Sequence, residues 1–218
     1  MTRVLRVEPG QKYEISNNGS VYLAEIETAR KDLVSFSVIE KLGAPEAAVA
    51  ITVLAALIKF DRFEWLIEKA TELGVERLVP FMAERSEKGL ERAAGKRLER
   101  WRKIAREASE QSRRSRLPSI VEPVPFTAAI AFEAGLRLAL EEKECAAPIL
   151  SALPRHREPG ATVALLLGPE GGWTDRERAA FSGKGWSPVS LGATILRAET
   201  AAIAGIAVIS SAWAARAV

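Results

Sequence analysis

The run Leu165-Leu166-Leu167-Gly168-Pro169-Glu170-Gly171-Gly172-Trp173 decides the reading of this chain. An apolar β-type segment is stopped by a glycine and proline cluster, and Thr174 with Glu177 makes a capping box that opens a helix. The order is strand, glycine loop, helix. Glycines there let main-chain N–H groups come close to a ligand, because no Cβ intervenes and positive φ carries no steric penalty. The familiar phosphate motifs are missing: the run has neither G-x-x-x-x-G-K-[ST] nor the G-x-G-x-x-G spacing that seats a pyrophosphate on a helix N-terminus. A nucleoside triphosphate is therefore not the expected ligand.

A second run, Leu191-Gly192-Ala193-Thr194-Ile195-Leu196-Arg197-Ala198-Glu199-Thr200, repeats the arrangement. Val189 to Leu191 is apolar, Gly192 makes the turn, and Glu199-Thr200 open a helix of mostly small residues from Ala201 to Ala215. Ligands of open α/β sheets bind beyond the carboxyl ends of the strands, so both loops can close on one small molecule. Each glycine alone is equally well explained as a tight strand-to-helix turn. The pair, with Arg197 and Glu199 beside it, points to a site.

Further upstream, the continuous Val/Ile/Leu/Ala run from Ala48 to Ile58 predicts a strand buried on both faces, as in a parallel sheet. Asp61 is expected to cap a helix in which Phe63, Leu66, Ile67, Ala70 and Leu73 fall at helical spacing and which Gly74 ends. Arg77 to Phe81 is the next strand. Repeated strand-helix-strand order down to the C-terminus predicts an α/β domain with a mainly parallel sheet. Ahead of it, Val4 to Val7, Lys12 to Ile15, Val21 to Ile26 and Leu33 to Val38 have period-2 character and are separated by Pro9-Gly10 and Asn17-Asn18-Gly19 turn signals. This reads as a small β domain over 1–45, closed by the break at Gly43-Ala44-Pro45, with the α/β domain over 46–218.

With 218 residues, 48% of them hydrophobic, the chain can build a substantial core without staples. The single cysteine, Cys145, cannot form an intramolecular disulfide, and no charged start leads into an apolar h-region. The longest apolar stretch, Ala201 to Ala214, is interrupted by Ser210-Ser211 and is too short for a bilayer, so a cytoplasmic protein with no membrane partner is expected. One histidine, His156, and one cysteine are too few for the usual His/Cys metal sites within the chain, and a Ser-His-Asp triad has no support. Trp65 and Trp101 are expected in the core rather than as base-stacking platforms, while Trp173 and Trp186 flank the ligand loops.

The net charge is only +3, so the location of charge matters more than its total. Between Arg85 and Arg116, basic residues outnumber acidic ones, and Leu98, Trp101, Ile104, Ala105 and Ala108 form the apolar stripe of a helix whose other faces carry the charges. Most of that stretch is equally an ordinary solvated helix laced with i,i+4 pairs. Arg113-Arg114-Ser115-Arg116 differs, because three guanidiniums with no acid among them make a poor helix surface and a good phosphate grip.

Gly168-Pro169-Glu170-Gly171-Gly172, then Leu191-Gly192 and Ile195-Leu196-Arg197-Ala198-Glu199-Thr200-Ala201, resemble the C-terminal signature of SPOUT RNA methyltransferases, specifically the 16S rRNA (uracil-N3) methyltransferase family. Glu68-Lys69-Ala70-Thr71-Glu72-Leu73-Gly74-Val75, Glu84-Arg85-Ser86, and Glu110-Gln111-Ser112 with Arg114 and Pro118 match the same family in the same order. The resemblance covers nearly the whole chain, and the ordered set is far more specific than any one motif.

The resemblance implies a parallel-sheet domain with a trefoil knot, preceded by a small PUA-like β-barrel that helps hold RNA. The family carries additional residues ahead of the Arg3-Val4-Leu5-Arg6 segment, which implies a barrel short of its opening strand. The implied cofactor is S-adenosylmethionine, held by Leu140, Leu167, Gly168, Pro169, Glu170, Gly171, Gly172, Leu191, Gly192, Ile195, Leu196, Arg197 and Thr200. Arg114 would stabilise charge on the uracil, Glu110 would orient Arg114 or act as base, and Arg197 with Glu199 would order the knot loop. For Glu110 and Glu199, simple ion pairing or helix N-terminal charge accounts equally well. Arg3, Arg6, Arg85, Arg113, Arg114 and Arg116 would contact ribosomal RNA, free or in the small subunit. The helix from Ala201, with small residues at Ala204, Gly205 and Ala207, would lie at a homodimer interface. Two other readings stay open: a related SPOUT enzyme methylating a ribose 2′-O or another base, and a ribosome-associated RNA-binding protein without catalysis.

Overall fold

The computed structural model describes residues 7–17, 19–43, 49–143, 146–156, 158 and 160–214. In chain order these form β1 (Lys12–Asn17), β2 (Ser20–Arg30), β3 (Leu33–Leu42), β4 (Ala50–Ala56), α1 (Phe60–Glu72), β5 (Arg77–Met82), α2 (Leu90–Ala94), a 3₁₀ turn (Gly95–Arg97) and α3 (Leu98–Gln111). There follow β6 (Ser119–Ile120), β7 (Val124–Pro125), α4 (Phe126–Ile130), β8 (Leu136–Leu140), β9 (Ala147–Pro148), α5 (Ile149–Ala152), β10 (Thr162–Leu167), α6 (Asp175–Gly183), β11 (Ser187–Ser190) and α7 (Ala198–Ala214). The chain divides into two units, one of Met1–Glu46 with Arg113–Leu117 and one of Ala47–Ser112 with Pro118–Val218. Arg3, Arg6, most of the expected Val4 to Val7 segment and Cys145 lie outside the described residues.

In the smaller unit β1, β2 and β3 form an antiparallel sheet in that order. The β1–β2 pairing runs from Lys12 opposite Glu25 to Asn17 opposite Ser20. Gly19 stands in this turn with φ +91°, a conformation that a Cβ would strain. Its N–H donates to the Ser115 carbonyl at 2.8 Å, so the segment after α3 joins this unit through the hairpin turn. Arg116 lies over the same turn, its Nε and Nη2 each 3.0 Å from where a Gly19 Cβ would stand.

The larger unit is built on a parallel sheet ordered β6-β5-β4-β10-β8-β11-β9, with β7 also paired to β5. The strand that precedes Gly168, β10, lies in its middle, pairing parallel with β4 on one side and β8 on the other. Alternate residues of these apolar strands feed two cores, the arrangement that a near-continuous hydrophobic run serves. Ile51, Val53, Leu138, Val163 and Leu165 pack on one face with Phe63 and Leu66 of α1, Trp101 of α3 and Ile206 of α7. Leu54, Ala56, Ala139, Ala164 and Leu166 pack on the other with Ile130 of α4, Phe181 of α6 and Trp186.

A local rule accounts for the end of α1. After α1, Gly74 has φ +91° and donates to the Thr71 carbonyl while Val75 donates to Ala70, which is a Schellman stop sealed by buried Val75. Asp61 does not cap α1: the N-cap position is Lys59, without a side-chain cap, and Asp61 sits in the first turn, where its charge favours the helix dipole. Trp101 is buried as expected, but Trp65 is 45% exposed, because it falls outside the stripe that α1 turns to the sheet. Gly205 approaches the chain's own sheet, since a Cβ on it would stand 2.9 Å from Leu165 Cδ2. Its small size thus serves the packing of α7 on β10. Among the described residues no helix is long and apolar enough to cross a membrane.

Candidate active site

Three adjacent parallel strands, β10, β8 and β11, end on the same edge of the sheet. Their continuations make a cleft lined by Leu140, Glu141 and Glu142 after β8, by Leu167 to Glu170 with Gly172 and Trp173 after β10, and by Ser190 to Gly192 with Thr194 to Leu196 after β11. Ala198 and Ala201 of α7 complete it. This is the carboxyl-end position at which open α/β sheets bind ligands.

The glycine loop is held in place from several sides. The Trp173 indole N–H donates to the Leu140 carbonyl at 2.8 Å, tying the end of β10 to the end of β8. Its ring lies so close to Gly168 that a Cβ there would stand 3.0 Å from it, and it stacks against Phe81. Gly172 takes φ +66° and donates to the Pro169 carbonyl at 2.9 Å, closing a tight turn. The Thr174 and Glu177 capping box forms as the sequence predicts. Glu177 also accepts the Glu84 N–H at 2.8 Å, and the Glu84 carboxylate accepts the Thr174 hydroxyl at 2.9 Å. Arg85 Nη1 donates to the Gly171 carbonyl at 2.9 Å. Glu84-Arg85-Ser86 is thus a brace for the loop, and Arg85, expected on RNA, has its guanidinium engaged there.

Charge is unevenly balanced around the cleft. Glu141 is buried and accepts Arg178 Nε at 2.6 Å and Nη2 at 3.2 Å; this bonding outweighs burial and raises the arginine above its ordinary value. Asp175 is held below the usual carboxylate range by hydrogen bonding from Lys143 and then by Arg178. Glu170 of the glycine loop meets Arg62 Nη1 at 3.3 Å, and Arg62 Nε lies 4.0 Å from Glu199 Oε1. Glu199 is buried, and its Oε2 has no hydrogen-bond partner among the described residues.

Of the thirteen residues expected on the cofactor, the cleft gathers Leu140, Leu167, Gly168, Pro169, Glu170, Gly172, Leu191, Gly192, Ile195 and Leu196. Gly171, Arg197 and Thr200 are exposed and do not line it. Arg197 is exposed, whereas Glu199 at the start of α7 is buried with Arg62 Nε 4.0 Å from its Oε1. Glu110 is exposed on the last turn of α3 in the larger unit, whereas Arg113, Arg114 and Arg116 belong to the smaller one. Sequence reasoning missed Arg62, Glu141, Glu142, Arg178 and Ser190. The first and fourth reach the site only through tertiary contact. Glu141 and Glu142 could have been found, since they follow an apolar strand end just as Gly168 does.

Comparison with known proteins gives this geometry its context. The family model for the RNA methyltransferase domain matches residues 45–210. Ribosomal RNA small subunit methyltransferase E of Synechocystis sp. is 34% identical over 97% of this chain and 69% of its own length. The protein of the same name from Bacillus subtilis is 32% identical over 96% of this chain and 85% of its own length. The crystal structure of a ribosomal RNA small subunit methyltransferase E from Neisseria gonorrhoeae, bound to S-adenosyl methionine, has a TM-score of 0.84 at 28% identity, covering 97% of this chain and 87% of that one. By sequence and by fold, the chain belongs to the ribosomal RNA small subunit methyltransferase E family of RNA methyltransferases.

Proposed function

We propose that this protein transfers a methyl group from S-adenosylmethionine to a uridine N3 in small-subunit (16S) ribosomal RNA. The observation that carries the reading is the cleft where β8, β10 and β11 end, with its glycine loop braced for close main-chain approach. The residues present fit such a cofactor. Leu140, Leu167, Leu191 and Leu196 offer apolar walls, main-chain groups of 167–172 and 191–196 offer donors and acceptors, and carboxylates offer counter-charge to a cation.

When bound, S-adenosylmethionine supplies an electrophilic methyl group on a sulfonium, without metal help. The chain's task is therefore position and charge. Uridine N3 is a weakly acidic imide, and it becomes an acceptor as its proton leaves and the charge on O2 and O4 is stabilised. Arg114 supplies that charge across a homodimer, with Glu110 orienting it or taking the proton, and Glu199 orders the loop ahead of α7. Arg113 and Arg116, with Arg3 and Arg6, hold RNA phosphates from a PUA-like barrel. The larger unit carries a trefoil knot. The dimer reading is supported by α7, apolar around its circumference, and by Ile195, 79% exposed beside the cleft. The protein acts in the cytoplasm on ribosomal RNA or the assembling small subunit.

The test is transfer of labelled methyl from S-adenosylmethionine to 16S rRNA and to small subunits, followed by nucleoside analysis. The expected product is 3-methyluridine. A 2′-O-methylated ribose would overturn the acceptor, and failure to bind S-adenosylmethionine at millimolar concentration would overturn the enzyme reading.

A further inference from the structure

The cleft is lined by three carboxylates, Glu141, Glu142 and Glu170, and among the described residues no lysine, arginine or histidine lines it. Two of the three are balanced from behind: Glu141 by Arg178 at 2.6 Å and Glu170 by Arg62 at 3.3 Å. The neighbouring Lys143 is turned to Asp175 at 3.3 Å. Glu142 is left with no ion pair among the described residues, although it stands where β8 ends in the cleft. Its placement is built in. The Glu142 N–H donates to Glu141 Oε1 at 3.0 Å, and its carboxylate lies against Gly172, where a Cβ would stand 2.8 Å from Oε1. Gly172, at φ +66°, is thus the residue that leaves room for this carboxylate beside the loop.

Resting on the cofactor reading above, we infer that Glu142 is the counter-charge for the cationic methionine part of S-adenosylmethionine, so that the cleft selects a charged sulfonium nucleoside over a neutral one. Glu141 and Glu170 each have an arginine partner and serve instead to hold the loop ends. Glu142 is exposed at the rim of the cleft, so its attraction for a cation is modest and is screened by salt.

The experiment is calorimetric titration of the unmodified protein and of Glu142→Gln with S-adenosylmethionine and with 5′-methylthioadenosine, which keeps the adenosine and the methylated sulfur but, as a thioether without the amino acid part, carries no charge. Glu142→Gln is expected to weaken S-adenosylmethionine binding by about two- to fivefold, flatten its salt dependence and leave 5′-methylthioadenosine unchanged. Glu142→Asp is expected to keep most of the affinity. Equal loss for both ligands, or no loss for either, overturns the role of Glu142 while leaving the cofactor reading intact. If the unmodified protein binds no S-adenosylmethionine, both readings fail together. Unchanged unfolding midpoints check that the variants are folded.

Discussion

Arg62 Nη1 lies 3.3 Å from Glu170 Oε1, and Arg62 Nε lies 4.0 Å from Glu199 Oε1, so one guanidinium from the first turn of α1 stands between the glycine loop and the first turn of α7. The Glu170 contact is partly exposed and worth little to stability alone. The Glu199 contact is the only cationic one that this buried carboxylate has among the described residues.

Arg62→Ala is therefore expected to cost about 1–3 kcal/mol, chiefly by stranding the Glu199 charge. Adding Glu199→Gln should recover part of that loss, a sign opposite to that of two independent deletions. Urea unfolding of the two single variants and the double variant measures the coupling. Cofactor affinity of Arg62→Ala should fall, and Arg62→Lys should restore it only in part.

Gly205 leaves no space for a side chain, with Leu165 Cδ2 at 2.9 Å and Leu140 Cδ1 at 3.5 Å from the position of a Cβ. Gly205→Val should destabilise the larger unit by about 1–3 kcal/mol through overpacking. Because Leu140 also lines the cleft, the variant should bind cofactor more weakly than its stability loss accounts for. Denaturation and calorimetry on the same sample separate the two effects.

Glu64 on α1 is held below its ordinary value of 4.5, first by the Arg100 hydrogen bond and then, against opposing desolvation, by Arg97. A depressed carboxylate contributes stability that is present above its unfolded value and lost as pH falls through the folded value. Glu64→Gln should therefore be less stable than the unmodified protein at pH 7, with the difference closing below about pH 4. Unfolding midpoints at pH 7 and pH 3 decide it. A difference that does not shrink as the pH falls would mean that packing, not charge, holds α1 to α3.

Arg113 has φ +56°, just past the Ser112 C-cap of α3, where glycine is the usual residue. Arg113→Gly should raise stability by up to about 1 kcal/mol by removing left-handed strain. It should also weaken RNA binding and lower its salt dependence by the loss of one cation. Thermal unfolding and a salt series of RNA titrations read the two effects independently.

Much of the cleft was legible because its makers are local. Gly168 and Gly172 interrupt an apolar run, Gly192 interrupts another, and capping chemistry at Thr174 starts the helix between them; none of this depends on distant residues. The buried stripe of α1 and the parallel sheet followed from periodicity in the same way, because burial on two faces demands an unbroken apolar strand. Glu141 and Glu142 obey the same strand-end rule, but a charged pair after an apolar run reads equally well as a solvated loop.

What only the tertiary structure decided is which distant groups meet. Arg62 and Arg178 are ordinary surface cations in the sequence and Arg85 an expected RNA contact, and each becomes a brace because the sheet order places β5, β4, β10 and β8 side by side. Gly205 spaces α7 from β10 because Leu165 lies opposite it. The Arg113–Leu117 segment folds with the N-terminal sheet because Ser115 accepts the Gly19 N–H. Propensity, capping and hydrophobic period act over a few residues and are written along the chain. Ion pairing and close packing join residues far apart in sequence and arise only once the strands have taken their order.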